Sequence, residues 1–287
     1  MTTAASTADT ASPGEKSTRG LIVYLAVGFI GAWAVWIVCG LMARHGTPGA
    51  ALVPAVIAGS FAPLVASGLA VWRDRNARAA LRFYLRGLDL RMGWPVLGVS
   101  LFAIPLLGVA VAAACAALAG KSLTFQMGWK DVPYAYAWLL ILGGPLAEEF
   151  GWSYLSDRLD EWLAPFSSNL LLGLIWALWH LPLFFLVVPG LDQSLIPYPV
   201  FVVTAVCFRF LMAWCYHHGG RNILSNLLAH NGMNFALTLV PIVLPVHGTA
   251  QWRFVALGVL SGLCAAVLYR LAPAAPLRGA ARAPASS

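Results

Sequence analysis

Glu148 and Glu149, His180, and the pair His230 and Asn234 are the side chains whose types and spacing suit joint chemistry. Carboxylates and imidazoles move protons, and an amide can hold a developing oxyanion. Adjacent glutamates on a helix point about 100° apart, so one faces a polar cavity and the other a supporting partner. His180 stands in the string W-A-L-W-H-L-P, where Pro182 has no N–H and so frees the carbonyl of Leu178. A histidine beside a broken hydrogen-bond ladder suggests a wet pocket. His230 and Asn234 are spaced i, i+4 and share a helix face about 6 Å apart, with Asn226 one turn earlier. In one scheme Glu148, helped by His180, activates water for attack on a carbonyl, while His230 and Asn234 stabilise the oxyanion. The same residues match a two-histidine, one-carboxylate site in which Glu148, His180 and His230 hold Zn²⁺ and lower the pKa of its bound water. Spacing alone does not choose between them. No H-E-x-x-H is present, and no serine or cysteine is similarly placed, which argues against a zincin or a serine protease. The plainer readings are a glutamate paired with Arg209, a core histidine on a backbone carbonyl, and polar contacts that only glue helices together.

The elements that must position these groups are membrane helices. Of the 287 residues, 60% are hydrophobic and only 10% charged, with a mean hydropathy of +0.77; a soluble domain carries about 25% charge. Distances between successive charged residues predict an all-α, polytopic membrane bundle of about eight helices, near 21–42, 51–72, 94–119, 133–155, 168–188, 198–216, 223–245 and 252–271. The fourth and sixth apolar stretches are marginal for a crossing, so Glu148, Glu149 and Arg209 must lie within the membrane. There an ionisable side chain is costly and functional by default. At about 1.5 Å per residue, Glu148 lies roughly 10 Å deep, His230 about 12 Å and His180 about 15 to 18 Å, a match that allows one shared pocket.

Most of the net charge of +7 falls on one side. The N-tail with Lys16 and Arg19, the stretch from Arg73 to Arg91, Arg158, Arg221 and the C-tail share a face, opposed by Arg44, Lys121, Lys130 and Arg253. The positive-inside rule makes the first face, and both termini, cytoplasmic, in an integral protein of the plasma membrane. This asymmetry leaves no need for a nucleic acid partner. Residues 1–20 and 272–287, rich in small and polar residues, are expected to be disordered tails around a single domain over 21–271. The apolar stretch after Arg19 is too long for a signal-peptide h-region and reads as a retained helix. The five cysteines have no C-x-x-C spacing and read as buried thiols. No internal repeat is visible, which weakens a proton-coupled transporter as the alternative function.

The strings E-E-F-G-W at 148–152, W-A-L-W-H-L-P-L-F-F at 176–185 and H-N-G-M-N-F at 230–235, with spacings of 32 and 50 residues between Glu148, His180 and His230, resemble the three motifs of the CPBP family. That family comprises multi-helix membrane proteins, among them CAAX prenyl endopeptidases and the bacteriocin-processing and self-immunity proteins of the Abi group. The resemblance implies an intramembrane endopeptidase acting on a hydrophobic or lipid-modified peptide within the lipid bilayer. In it Glu148 activates water, His180 is its partner, and His230 with Asn234 forms the oxyanion hole. It requires no cofactor, although such proteins are often named metalloproteases and a divalent metal such as Zn²⁺ remains compatible. One departure stands out. The family pattern E-E-x-x-x-R has Ser153 here in place of the arginine, so either Arg158 or Arg209 supplies the cation, or the chain is a noncatalytic immunity or scaffold protein.

Overall fold

A computed structural model describes residues 13–186, 188–191 and 193–272; the expected tails therefore lie outside the described residues, except that helix already runs from Pro13. Every regular element among the described residues is helical. In chain order the principal helices are α1 (Thr18–Arg44), α2 (Gly49–Asp74), α3 (Ala77–Leu85), α4 (Trp94–Leu118), α5 (Val132–Leu142), α6 (Pro145–Leu159), α7 (Pro165–Trp179), α8 (Tyr198–His218), α9 (Ile223–Leu239) and α10 (Trp252–Leu271). Helices α1, α2, α4, α8 and α10 are each long and apolar enough to cross a bilayer.

The remaining expected crossings are shorter or interrupted, and they carry the candidate residues. The expected helix 133–155 is broken at Gly143–Gly144 into α5 and α6. Gly144 has φ +120°, a conformation closed to most L-residues, and Pro145 starts the next helix because its missing N–H costs nothing there. The expected helix 168–188 ends at Trp179, with His180 as its C-cap and a single further turn at Pro182–Phe185. The carbonyl of Leu178, expected to be freed by Pro182, accepts instead from the N–H of Leu181 at 3.0 Å in a tight turn. The expected helix 223–245 stops at Leu239, entered through Asn222, whose side chain accepts from Ser225 N–H at 3.0 Å. Such interruptions within a membrane are tolerated where protein or a cavity surrounds the backbone.

Helix α8 is the hub: 56% of its most apolar window is buried, against 22–33% in the other four spans. It packs on α7, α9, α10 and α4. Small residues permit the close crossings. A Cβ on Gly108 of α4 would stand 2.9 Å from the Ala236 Cβ of α9, and one on Gly258 of α10 would stand 2.7 Å from Thr204 of α8. Against the other side of the site, α1 holds a π-helical turn at Ala26–Gly31, and the Gly28 carbonyl within it accepts the indole N–H of Trp179 at 2.9 Å. Trp33 Nε1–H donates to the Trp179 carbonyl (2.8 Å) and Trp36 Nε1–H to the Val56 carbonyl (3.2 Å), tying α1 to α7 and α2.

One end of the bundle gathers most of the basic residues. Arg86 and Arg221 both grip Asp157, Arg221 Nη2 also donates to Asp160 (3.0 Å), and His217 Nε2 lies 2.9 Å from the same carboxylate. This joins the end of α6 to the end of α8, the start of α9 and the segment after α3. Burial opposes ionisation of Asp160, but hydrogen bonds from His217 and Ser168 and the charges of His217 and Arg221 outweigh it and hold the carboxyl below its usual range.

Candidate active site

The break before α6 puts Glu148 in that helix's first turn, where the helix dipole and free N–H groups favour negative charge. Glu148 is buried and lines a cavity of about 200 Å³ together with Gly144, Trp176, His180, His230 and Asn234. Its Oε2 accepts two indole N–H groups, from Trp176 at 2.8 Å and from Trp152 at 3.1 Å. Its Oε1 stays on the cavity side, 4.0 Å from His180 Nε2. That separation is too long for a direct hydrogen bond and suits one bridging water. His180 Nδ1 lies 2.9 Å from the Trp176 carbonyl, which can only accept. Nδ1 therefore carries the proton, and Nε2 presents a lone pair toward Glu148.

Glu149 turns the other way, as adjacent helical positions require. It is fully buried and held by Arg209 Nη1 at 3.0 and 3.1 Å, while His230 Nδ1 lies 2.9 Å from its Oε1. With its amide oriented to satisfy both ends, Asn226 accepts from Arg209 Nη2 (2.9 Å) and donates to the Met212 carbonyl (2.7 Å). A carboxylate paired with a guanidinium has no proton to give, so His230 donates from Nδ1 and turns Nε2 to the cavity. Asn234 Nδ2 spends one hydrogen on the Gly143 carbonyl at 2.8 Å, leaving the other available. The bare side of Gly144 shows how tightly the groups converge. A Cβ there would lie 2.8 Å from Glu148 Oε1 and 3.7 Å from both His230 Nε2 and Asn234 Nδ2.

An aromatic wall fixes the imidazoles. Ring centroids of Trp176 lie 5.6 Å from His180 and 5.4 Å from His230, Trp179 lies 4.9 Å and Phe201 5.1 Å from His180, and Trp36 packs on Trp179 at 4.6 Å. Rings held edge to face in this way resist rotation and exclude water. Of the sequence candidates, Glu148, His180, His230 and Asn234 line one cavity, whereas Glu149 lies behind it and touches it only through His230. Arg209, not Arg158, is the cation at the glutamates; Arg158 Nη1 reaches Glu161 at 3.2 Å. Among the described residues no three histidine, cysteine or acidic side chains are grouped as ligands for one metal ion. The atoms of the expected zinc set that face the cavity are Glu148 Oε1, His180 Nε2 and His230 Nε2, since Glu148 Oε2 is taken by two indoles and His230 Nδ1 by Glu149.

Sequence reasoning missed Trp152 and Trp176 as partners of Glu148, and Gly144 as the floor of the cavity. The i, i+4 spacing of Glu148 and Trp152 announces the first, and the Gly-Gly-Pro string at 143–145 announces a break. Trp176 reaches Glu148 from another helix, and no local spacing could reveal it.

Residues 130–236, the stretch holding Glu148, His180, His230 and Asn234, match the family described as type II CAAX prenyl endopeptidase, Rce1-like. Over this segment the chain is similar to the CPBP, or CAAX-protease, family. A relative outside the matched segment's bounds extends the likeness: CAAX prenyl protease 2 of Methanococcus maripaludis is 22% identical over 258 residues, covering 86% of this chain and 92% of the relative. Five helices long and apolar enough to span a bilayer, together with the likeness to a membrane protease family, support an integral membrane protein.

Proposed function

We propose that this protein hydrolyses a peptide bond of a hydrophobic or lipid-modified peptide, using water activated by Glu148. The supporting observation is that Glu148 Oε1, His230 Nε2 and Asn234 Nδ2 all lie within 3.7 Å of one point beside Gly144, with His180 Nε2 4.0 Å from the same carboxylate oxygen. Water sits between Glu148 and His180. Glu148 takes its proton as the oxygen attacks the carbonyl carbon, and the resulting oxyanion accepts from the free N–H of Asn234 and from His230. With Nδ1 bonded to Glu149, His230 reaches the oxyanion through a hydrogen carried on Nε2. Collapse breaks the C–N bond, and Glu148 returns its proton to the leaving amine. Glu149 and Arg209 act as positioning residues, with Arg209 supplying from α8 the cation that the family motif carries at the place of Ser153. No step of this route runs through a metal.

The cavity's remaining walls, including Leu183, Ile196, Phe201, Met233 and Leu237, are apolar and favour a hydrophobic substrate segment. The name of the archaeal relative and of the matched family suggests a prenylated peptide as the substrate class. On the asymmetry of arginine and lysine we assign the basic end, and both termini, to the cytoplasmic side of the plasma membrane.

The test is cleavage of a membrane-anchored fluorogenic peptide by Glu148→Gln and His180→Ala variants, with and without a chelator. General-base catalysis is worth about 10²–10⁴-fold, so a loss of that order is expected in both variants with unchanged melting, and no effect of chelator. Undiminished cleavage by both variants overturns the assignment, and loss of wild-type activity on chelation overturns the metal-free route.

A further inference from the structure

A second polar cavity, of about 390 Å³, opens at the basic end between α2, α3 and α6, away from the site above. Four arginines line it: Arg75, Arg82, Arg86 and Arg158. Only two acids accompany them, and both are committed. Asp157 is held by Arg86 (3.0 Å), by Arg221 and by the Tyr216 hydroxyl (2.7 Å); Asp74 accepts the Gly20 N–H (2.9 Å) and faces the Tyr154 hydroxyl (3.4 Å). Arg75 and Arg82 are exposed, and their side chains make no hydrogen bond or short ion pair among the described residues, although Arg75 lies within the electrostatic reach of Asp74. With four arginines against two aspartates, the cavity lining carries an excess of positive charge.

Its surroundings identify the medium. Helix α3 turns Phe83 and Tyr84 inward, where their rings pack on Phe150 of α6 at 6.2 and 5.3 Å. Its outer side shows Leu81 and Leu85, followed by Leu88 and Leu90 at 75% and 78% exposure, with Trp72 and Trp94 exposed at the neighbouring helix ends. Exposed leucine and tryptophan beside exposed arginine at helix ends is the pattern of the membrane interface, where apolar side chains meet acyl chains and guanidinium groups meet headgroups. The positive-inside rule accounts for the sign of these residues but not for their convergence around a cavity. Nor does it account for the use of arginine at every basic position from 73 to 91. A guanidinium matches a phosphate with two parallel hydrogen bonds, which an ammonium cannot.

We propose that this cavity seats the phosphate of an anionic phospholipid headgroup, with Arg75 and Arg82 as its ligands and the acyl chains lying against Leu81 and Leu85. The shared chemistry is a phosphate, and the flanking leucines select the lipid over the free ion. The seat is independent of the peptidase reading. It adds a lipid contact to α6, the helix that also carries the two glutamates.

The test uses the full chain in detergent, titrated with short-chain phosphatidylglycerol, phosphatidylcholine or inorganic phosphate, with binding read by native mass spectrometry and by the rise in melting temperature. Two exposed arginines near an anionic lipid surface are together worth about 30-fold in affinity, so Arg75→Gln with Arg82→Gln should weaken phosphatidylglycerol binding by about that factor. The control pair Arg73→Gln with Arg78→Gln removes the same charge outside the cavity and should change binding less than about twofold. Phosphatidylcholine should bind weakly to every variant. Equal weakening by both pairs means a diffuse surface field, and no weakening by the first pair means no seat; either result overturns the proposal. Inorganic phosphate that binds as tightly as the lipid overturns the lipid assignment and leaves a free-anion site.

Discussion

Removing Arg209 tests whether Glu149 and His230 work as a fixed unit. In Arg209→Met the guanidinium that contacts both oxygens of Glu149 at 3.0 and 3.1 Å is lost, and the fully buried carboxylate keeps only His230. Asn226 loses its partner as well. Breaking a buried ion pair by deleting one member costs about 3–5 kcal/mol, chiefly because the surviving charge is left uncompensated. Removing both charges, in Glu149→Gln with Arg209→Met, takes away that penalty. The double variant should be more stable than the sum of the single losses predicts, with a coupling of about 2 kcal/mol. Equilibrium unfolding by SDS titration in mixed micelles measures all four corners of the cycle. Peptide cleavage by the same proteins separates positioning from stability: Arg209→Met with Ser153→Arg should recover part of the activity lost in Arg209→Met, since the second change restores a cation on α6 near Glu149. Additivity within about 0.5 kcal/mol would refute the claim that the two buried charges act as a pair. Failure of the second cation to restore any activity, in a protein that melts normally, would refute the relocation.

Gly144→Ala should abolish cleavage, because the new methyl would sit 2.8 Å from Glu148 Oε1 at the point of convergence and the residue would be forced to φ +120°; peptide turnover and melting temperature check it, with the loss in turnover far exceeding a backbone strain of about 1–3 kcal/mol. Asn234→Ala should lower kcat about 10²–10³-fold with little change in KM, the mark of a donor used only in the transition state. Trp176→Phe should retain the aromatic wall but strip an N–H from Glu148 Oε2, and a lowered kcat at nearly unchanged KM would register it. Asp160 has a lowered folded-state pKa, so its contribution to stability is present above about pH 4 and is lost as the pH falls through that lower value. The melting-temperature gap between wild type and Asp160→Asn, seen at pH 7, should therefore close in acid.

What could be read from the chain alone follows from the range of the forces involved. The long spans near 21–42, 94–119, 198–216 and 252–271 were legible to within a few residues because hydrocarbon demands an unbroken apolar stretch wherever it is crossed. The divergent aims of Glu148 and Glu149 were legible because neighbouring helical positions cannot point the same way. The breaks at Gly143–Gly144, after Trp179 and after Leu239 were not, because inside a bundle the neighbours supply the missing partners and the apolar pattern runs on regardless. The short amphipathic α3 was hidden for the opposite reason, its charges being read as loop. That Arg209 rather than Arg158 meets the glutamates is a fact of tertiary packing between α8 and α6.

The wide turn at Ala26–Gly31 has a consequence for how the chain tolerates change in length. Deleting any one of those six would tighten the coil to the ordinary pitch, so the helix before it would keep nearly its facing while the wide turn around Gly28 was lost. The oxygen of Gly28 would rotate away from the indole it serves, and with it would go the brace behind His180. A stretch far from any reacting atom thus behaves like the tooth of a gear, indifferent to many substitutions but intolerant of a missing member.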